Sequence, residues 1–150
     1  MLRLQTKTFG QLSTTELYEL LKLRSMVFVV EQNCVYADPD DKDYQALHVL
    51  GMHQEKLVAY ARLLPQGLSY PEASIGRVVT HPAFRGLQFG RALMQYSITE
   101  ALRCFETTEL VISAQAYLQA FYTQLGFNAH DDPYMEDGIP HIEMWYRSGS

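Results

Sequence analysis

Arginine and glycine stand together at Arg85 and Gly86, and again in reverse order at Gly90 and Arg91, within the segment HPAFRGLQFGRALM of residues 81–94. From Phe89 onward the segment takes helical spacing, so the two pairs flank one helix start. Backbone N–H groups in a first helical turn have no partner inside the helix, and the aligned peptide dipoles put partial positive charge there. Glycines let that backbone come close to an oxyanion, and the guanidinium groups of Arg85 and Arg91 add charge-assisted hydrogen bonds. The combination suits a diphosphate. Neither G-x-x-x-x-G-K-[ST] nor G-x-G-x-x-G occurs here, which excludes the nucleotide loops of those forms.

Such a loop needs a strand before it and a helix after it. SIGRVVT is a short β-branched run that ends at His81-Pro82, and Phe89, Leu93, Met94, Ile98, Ala101, Leu102 and Phe105 keep a helical period beyond the loop. Upstream, residues 2–9 read as an edge strand, and Ser13 to Glu16 has the S-x-x-E form of a capping box. The helix it opens turns Leu17, Leu20, Leu21, Arg24, Val27 and Phe28 to one buried face and runs to about Val30. NCVYADPDDKDYQ follows as a loop, whose Asp38, Asp40, Asp41 and Asp43 read as a solvated charge run. Strands over Ala46–His53 and Leu57–Leu64 form a hairpin around a short polar turn. ELVISA is a buried strand, AYLQAFYTQLGF a short helix closed by Gly126 in the left-handed position, and HIEMWYR a last strand able to pair across a homodimer. The mixed order predicts an α/β layer fold in a single domain over residues 1–150.

Composition limits the partners. A net charge of −5 and a pI near 5.5 argue against a nucleic-acid-coating protein, so an anionic ligand must be held by local groups. Cys34 and Cys104 form no C-x-x-C pair, which suggests neither a metal site nor a disulfide scaffold and favours a reducing, cytoplasmic setting. No basic segment with an apolar run opens the chain, and no stretch approaches the ~18 apolar residues of a membrane span.

The strand RVVTHPAF, the loop RGLQFG and the helix start RALM together resemble the coenzyme A loop of the GNAT superfamily of acyl-CoA N-acyltransferases, whose pattern is Q/R-x-x-G-x-G/A. Arg85 takes the first place and Gly90 the last; Gln88 stands where the middle glycine is usual, which narrows the backbone range and crowds the phosphates unless it is already right-handed helical. SAQAYLQAFYTQLGF resembles the second block of the family, and LRSMVFVVEQN, DPDDKDYQALHV and DGIPHIEM resemble its ElaA-type branch, so the likeness spans most of residues 17–146. It implies a mostly antiparallel central sheet with one splayed strand pair and helices on both faces.

The resemblance further implies transfer of an acetyl group from acetyl-CoA to an amine of a small molecule or peptide, by direct attack in a ternary complex and without a metal. The main chain of Val78, Val79 and Thr80 is then expected to bind the pantetheine arm, with an N–H near Val79 or Thr80 polarising the thioester. Arg85, Gly86, Leu87, Gln88, Phe89, Gly90 and Arg91 would take the diphosphate, and Gln115 would support the arm or the splay. Tyr122 matches the general acid of the family, and a phenol, with a reference pKa of about 10, suits protonation of a thiolate. An alkylammonium must also lose a proton before it attacks. For that base the sequence offers Glu31 first, as a carboxylate whose pKa burial among apolar neighbours would raise, then His48, with His81, His141 and Glu143 also open. Other readings are transfer from another acyl-CoA or to a non-amine acceptor, and a coenzyme A sensor without chemistry.

Overall fold

Ser13 and Glu16 close the predicted capping box, each side chain bonded to the other residue's backbone N–H at 3.0 and 2.8 Å, and so start α1, Thr14–Arg24. A computed structural model describes residues 1–149. Its strands are β1 (Arg3–Thr8), β2 (Leu47–His53), β3 (Lys56–Leu64), β4 (Ala73–Thr80), β5 (Glu109–Gln115), β6 (Phe127–Glu136) and β7 (Ile139–Arg147). They form one seven-stranded sheet in the order β1-β2-β3-β4-β5-β7-β6. Every neighbouring pair is antiparallel except β4 and β5, which are parallel and pair only at Ala73 with Leu110 and Ser74 with Val111. Beyond those two rungs the strands splay apart.

Alternation along the strands sends side chains to two cores. On one face α2 (Phe89–Cys104) and α3 (Gln119–Gln124) cover Val49, Ala61, Ile75, Ile112 and Met144 with Leu93, Met94, Ile98 and Tyr122. On the other, Leu20, Leu23 and Val27 pack on Leu50, Tyr60 and Val79. The mixed α/β fold with helices on both faces is therefore as expected. Gly126 closes α3 at φ 106°, the left-handed position that its missing Cβ permits.

Three expectations need correction. The sequence showed no strand over 127–136, yet β6 is the sheet edge; it is exposed after Phe127 and interrupted by a bulge between His130 and Tyr134 that holds Pro133, features an edge strand tolerates and a buried one does not. β7 lies between β5 and β6 with both sides paired, so it has no free edge to offer a second copy. The helix expected to continue to Val30 widens after Arg24: over Ser25–Glu31 it becomes a π-helix, with the N–H of Gln32 reaching the Val27 carbonyl and that of Cys34 the Val29 carbonyl. Among the described residues no helix is long and apolar enough to cross a membrane.

Candidate active site

The splay begins at a bulge in β4. Tyr60 pairs with Val79 and Arg62 with Gly76, so one residue of β3 faces two of β4 and Arg77 takes φ 50°. Arg77 is anchored there by the acidic segment, with Nη2 on the Asp38 carbonyl at 3.0 Å and Nε against Asp38 Oδ1 at 2.9 Å, a charge contact without hydrogen-bond alignment. Asp38 and Asp43 are buried, not the solvated run the sequence suggested. Arg24, fully buried, donates to Asp38 Oδ2 and to both Asp43 oxygens, while Arg62 binds Asp40 and Asp43. Burial works to raise the Asp43 pKa, but hydrogen bonds and charge from Arg24 and then Arg62 outweigh it and hold the carboxyl below its usual range. Of the four, Asp41 alone is exposed.

Past Ser74 and Val111 the facing edges of β4 and β5 have no ladder. The His81 N–H donates to the Val58 carbonyl across β3 at 2.7 Å, so by alternation the Val79 N–H also faces β3 and that of Thr80 faces the open side, while Val78, within the bulge, lines the open cavity. This removes the Val79 N–H from the expected thioester contact and leaves Val78 and Thr80. A cavity of about 500 Å³ opens here, lined by Val78, Val79, Thr80, Arg85, Gly90 and Gln115 together with Glu31 and Phe121.

The remaining residues of the anion loop play different parts. Gly86 has φ 91° and nothing within 4 Å of where a Cβ would stand. Gln88 does not take the right-handed conformation under which its side chain would not crowd the phosphates; it caps α2 at φ 64° and ψ 18°, the backbone shape in which glycine is favoured. Phe89 turns inward and is buried, Leu87 is exposed, and Arg91 is half-buried. Neither Gly86, Leu87, Gln88, Phe89 nor Arg91 lines the cavity. At Gly90 a Cβ would stand 3.7 Å from Thr80 Oγ1 and 4.0 Å from Phe121, so its absence leaves open the ground in front of the first-turn amides of a long helix. Those open amides and the open β4 edge fit an amide-rich chain that ends in a pyrophosphate.

Arg85 does not point to empty space. Its Nη1 and Nη2 hold the Glu31 carboxylate at 2.8 and 2.7 Å, and its Nε donates to the Thr80 carbonyl. Glu31 is accordingly not the buried, raised carboxylate expected of a base: its side chain is 40% exposed, and the hydrogen bond from Arg85 holds its pKa below the ordinary value. His48 is corrected as well. It is fully buried, Nδ1 lies 2.6 Å from the Tyr60 hydroxyl and Nε2 2.9 Å from the Asp43 carbonyl, and it lines neither cavity, so no ring nitrogen is free for an acceptor. Burial lowers its pKa.

A second cavity, of about 440 Å³, lies on the other side of the splay. Its wall includes Tyr70, Ser113, Glu136, Asp137 and His141. Gln32, Val78, Gln115, Leu118 and Tyr122 line both cavities, so the two meet at the divergence of β4 and β5. Tyr122 is 6% exposed, packed edge-on against Phe121 and Phe127, and among the described residues no group hydrogen-bonds its hydroxyl. Burial pushes its pKa up to about 12, so it carries its proton throughout the neutral range. His81 instead caps the turn after β4, accepting from the Ala83 N–H, and Glu143 accepts from the Trp145 indole at 2.9 Å.

Residues 18–148 match the acetyltransferase (GNAT) domain family. The chain is 45% identical over 140 residues to a UPF0039 protein of Synechocystis, covering 93% of this chain and 91% of that one. It is 41% identical over 146 residues to protein ElaA of Escherichia coli, covering 96% and 95%. The crystal structure of E. coli ElaA superimposes with a TM-score of 0.92 over 98% of this chain and 100% of its own, at 40% identity. An acyl-CoA N-acyltransferase from Pseudomonas aeruginosa does so with a TM-score of 0.91 over 97% and 99%, also at 40% identity.

Proposed function

Because the chain belongs to the GNAT acetyltransferase family, we propose that it transfers an acetyl group from acetyl-CoA to a primary amine of a small molecule or peptide, by direct attack with both substrates bound. The observation that carries this reading is Tyr122, a protonated phenol at the place where two cavities meet. The cavity beside α2 takes the acyl-CoA and the one beside His141 takes the amine.

Acyl-CoA, when bound, supplies an acyl group on a good thiolate leaving group. This chain supplies the rest. First-turn amides of α2 and the guanidinium of Arg85 hold the pyrophosphate, and the Val78 and Thr80 backbone holds the pantetheine arm. One of those open N–H groups polarises the thioester carbonyl, and a fixed donor of that kind stabilises the charge that develops there. The Tyr122 hydroxyl gives its proton to the departing sulfur. Gln115, on both cavity walls, keeps the ends of β4 and β5 apart.

Amine-dependent release of free thiol from acetyl-CoA tests the reading. Tyr122→Phe should lower turnover at least tenfold while leaving acetyl-CoA affinity unchanged, because it removes only the hydroxyl. Turnover equal to that of the unaltered protein would remove Tyr122 from the mechanism. Acetyl-CoA at 100 times its Kd should raise stability by about 2.7 kcal/mol, whereas NAD and ATP should not.

A further inference from the structure

With Glu31 tied to Arg85 and His48 enclosed, the acceptor cavity still needs a group that takes the ammonium proton. His141 lies there, on β7, directly opposite Gln115 in the β5–β7 register and so beside the junction of the two cavities. It is 7% exposed. Its Nδ1 lies 2.7 Å from the Ile139 carbonyl, which only accepts, so Nδ1 carries the hydrogen and Nε2 keeps its lone pair. Nε2 stands 3.5 Å from Glu136 Oε2, on a side chain that is half exposed. This is an imidazole oriented through Nδ1, with a carboxylate beside its basic nitrogen and a route to water.

The charge around it favours a cation. Arg24, Arg62 and Arg77 are balanced by Asp38, Asp40 and Asp43, so the wall keeps one positive charge, on Lys42 beside Ser69, against the two carboxylates of Glu136 and Asp137. Glu136 and Asp137 carry no such arginine partner in the cavity wall. Tyr70 and Tyr134 stand in the same region, with Tyr134 hydrogen-bonded to Ser113 and its ring stacked on His141. Burial, and after it the negative field of Tyr134, Glu143 and Glu136, pushes the Tyr70 pKa up to about 12.

We propose that His141 Nε2, oriented by the Ile139 carbonyl on Nδ1 and flanked by Glu136, is the base that deprotonates a cationic primary amine in this cavity. The assignment rests on the acyltransferase reading above. One ammonium proton passes to Nε2 and leaves through Glu136 to water. The freed lone pair forms the C–N bond as the C–S bond breaks, the sulfur takes the Tyr122 hydroxyl proton, and the remaining surplus proton on the acylated nitrogen restores the phenol. The products are an amide, a thiol and one released proton.

The test uses acetyl-CoA with two acceptors, an alkylamine that is an ammonium at pH 7 and O-methylhydroxylamine, which is already neutral there. His141→Ala should lower turnover of the alkylamine at least 100-fold and that of O-methylhydroxylamine only a few-fold, and added imidazole should restore part of the alkylamine rate. His141→Asn carries the same expectation, so a folding failure of the alanine variant does not decide the matter; acetyl-CoA affinity reports whether each variant is folded. Equal losses on both acceptors in a folded variant, or an undiminished alkylamine rate, would overturn the base. An unaltered protein that binds acetyl-CoA and acylates neither amine would instead overturn the acyltransferase reading beneath it.

Discussion

Arg85 holds two roles that compete. Its guanidinium grips both oxygens of Glu31, yet it stands in the wall where a pyrophosphate would need it. Both side chains are more than a third exposed, so the pair is worth about 1 kcal/mol or less. Glu31→Gln weakens that grip and removes a negative charge facing the phosphates, and should tighten acetyl-CoA binding by up to about fivefold in calorimetric titration. A weaker affinity would mean that Glu31 positions Arg85 for the ligand. Gln88 poses a smaller question at the same loop. Its left-handed backbone costs about 1 kcal/mol, but glycine there would add a similar entropy to the unfolded chain. Gln88→Gly should therefore change stability by less than about 1 kcal/mol, as read from the urea midpoint.

Between elements, the decisive structure is the buried charge cluster under the β4 bulge. Arg24 comes from α1, Arg62 from β3 and Arg77 from β4, and all three converge on the segment that carries Asp38, Asp40 and Asp43. Removing Arg24 leaves Asp38 to Arg77 and Asp43 to Arg62, but with three buried or half-buried carboxylates facing only two arginines. Arg24→Met should cost about 3–5 kcal/mol in urea unfolding, whereas Lys22→Ala, which breaks the exposed pair with Glu19 and a contact over the exposed Tyr18 ring, should cost less than about 1 kcal/mol. A small effect of Arg24→Met would show that water enters the cluster. This cluster also marks the limit of what the residues reveal in order. SIGRVVT, the loop and α2 are legible because their signals are local: β-branching, glycine, and helical spacing. The four aspartates look solvated in isolation, since the cationic partners of Asp38, Asp40 and Asp43 sit on three separate elements that only the fold assembles. Arg24 was visible on a buried helix face, which was the one available hint of where its partners would be found. Likewise β6 is not legible in the sequence, because an exposed edge strand with a bulge and a proline carries no alternating apolar pattern.

For the molecule as a whole, pH sums several of these sites. His48 has a folded-state pKa below that of the unfolded chain, so the stability it contributes is complete above about pH 6.5 and is lost as pH falls through the lower folded value. Asp43 and Glu16, held low by their cationic partners against burial, add a second loss below about pH 4.5. At the alkaline end the signs reverse. Tyr36, Tyr70 and Tyr122 are each pushed to about 12, so their contributions are complete below about pH 10 and disappear as pH rises toward 12. Urea midpoints across pH 4 to 11 should trace a plateau bounded on both sides, and replacing His48 by Gln should flatten the acid shoulder below about pH 6.5.

The two rungs that join β4 to β5 have a kinetic meaning too. Strands β1 to β4 are antiparallel neighbours, and β6 and β7 zip beside β5, so each half can collapse on its own local contacts. Joining the halves means bringing β5 alongside β4 across the whole of α2, a long closure rewarded by very few backbone bonds. The chain should thus assemble as two blocks that dock late, and the same seam should be the first to part when the native state breathes.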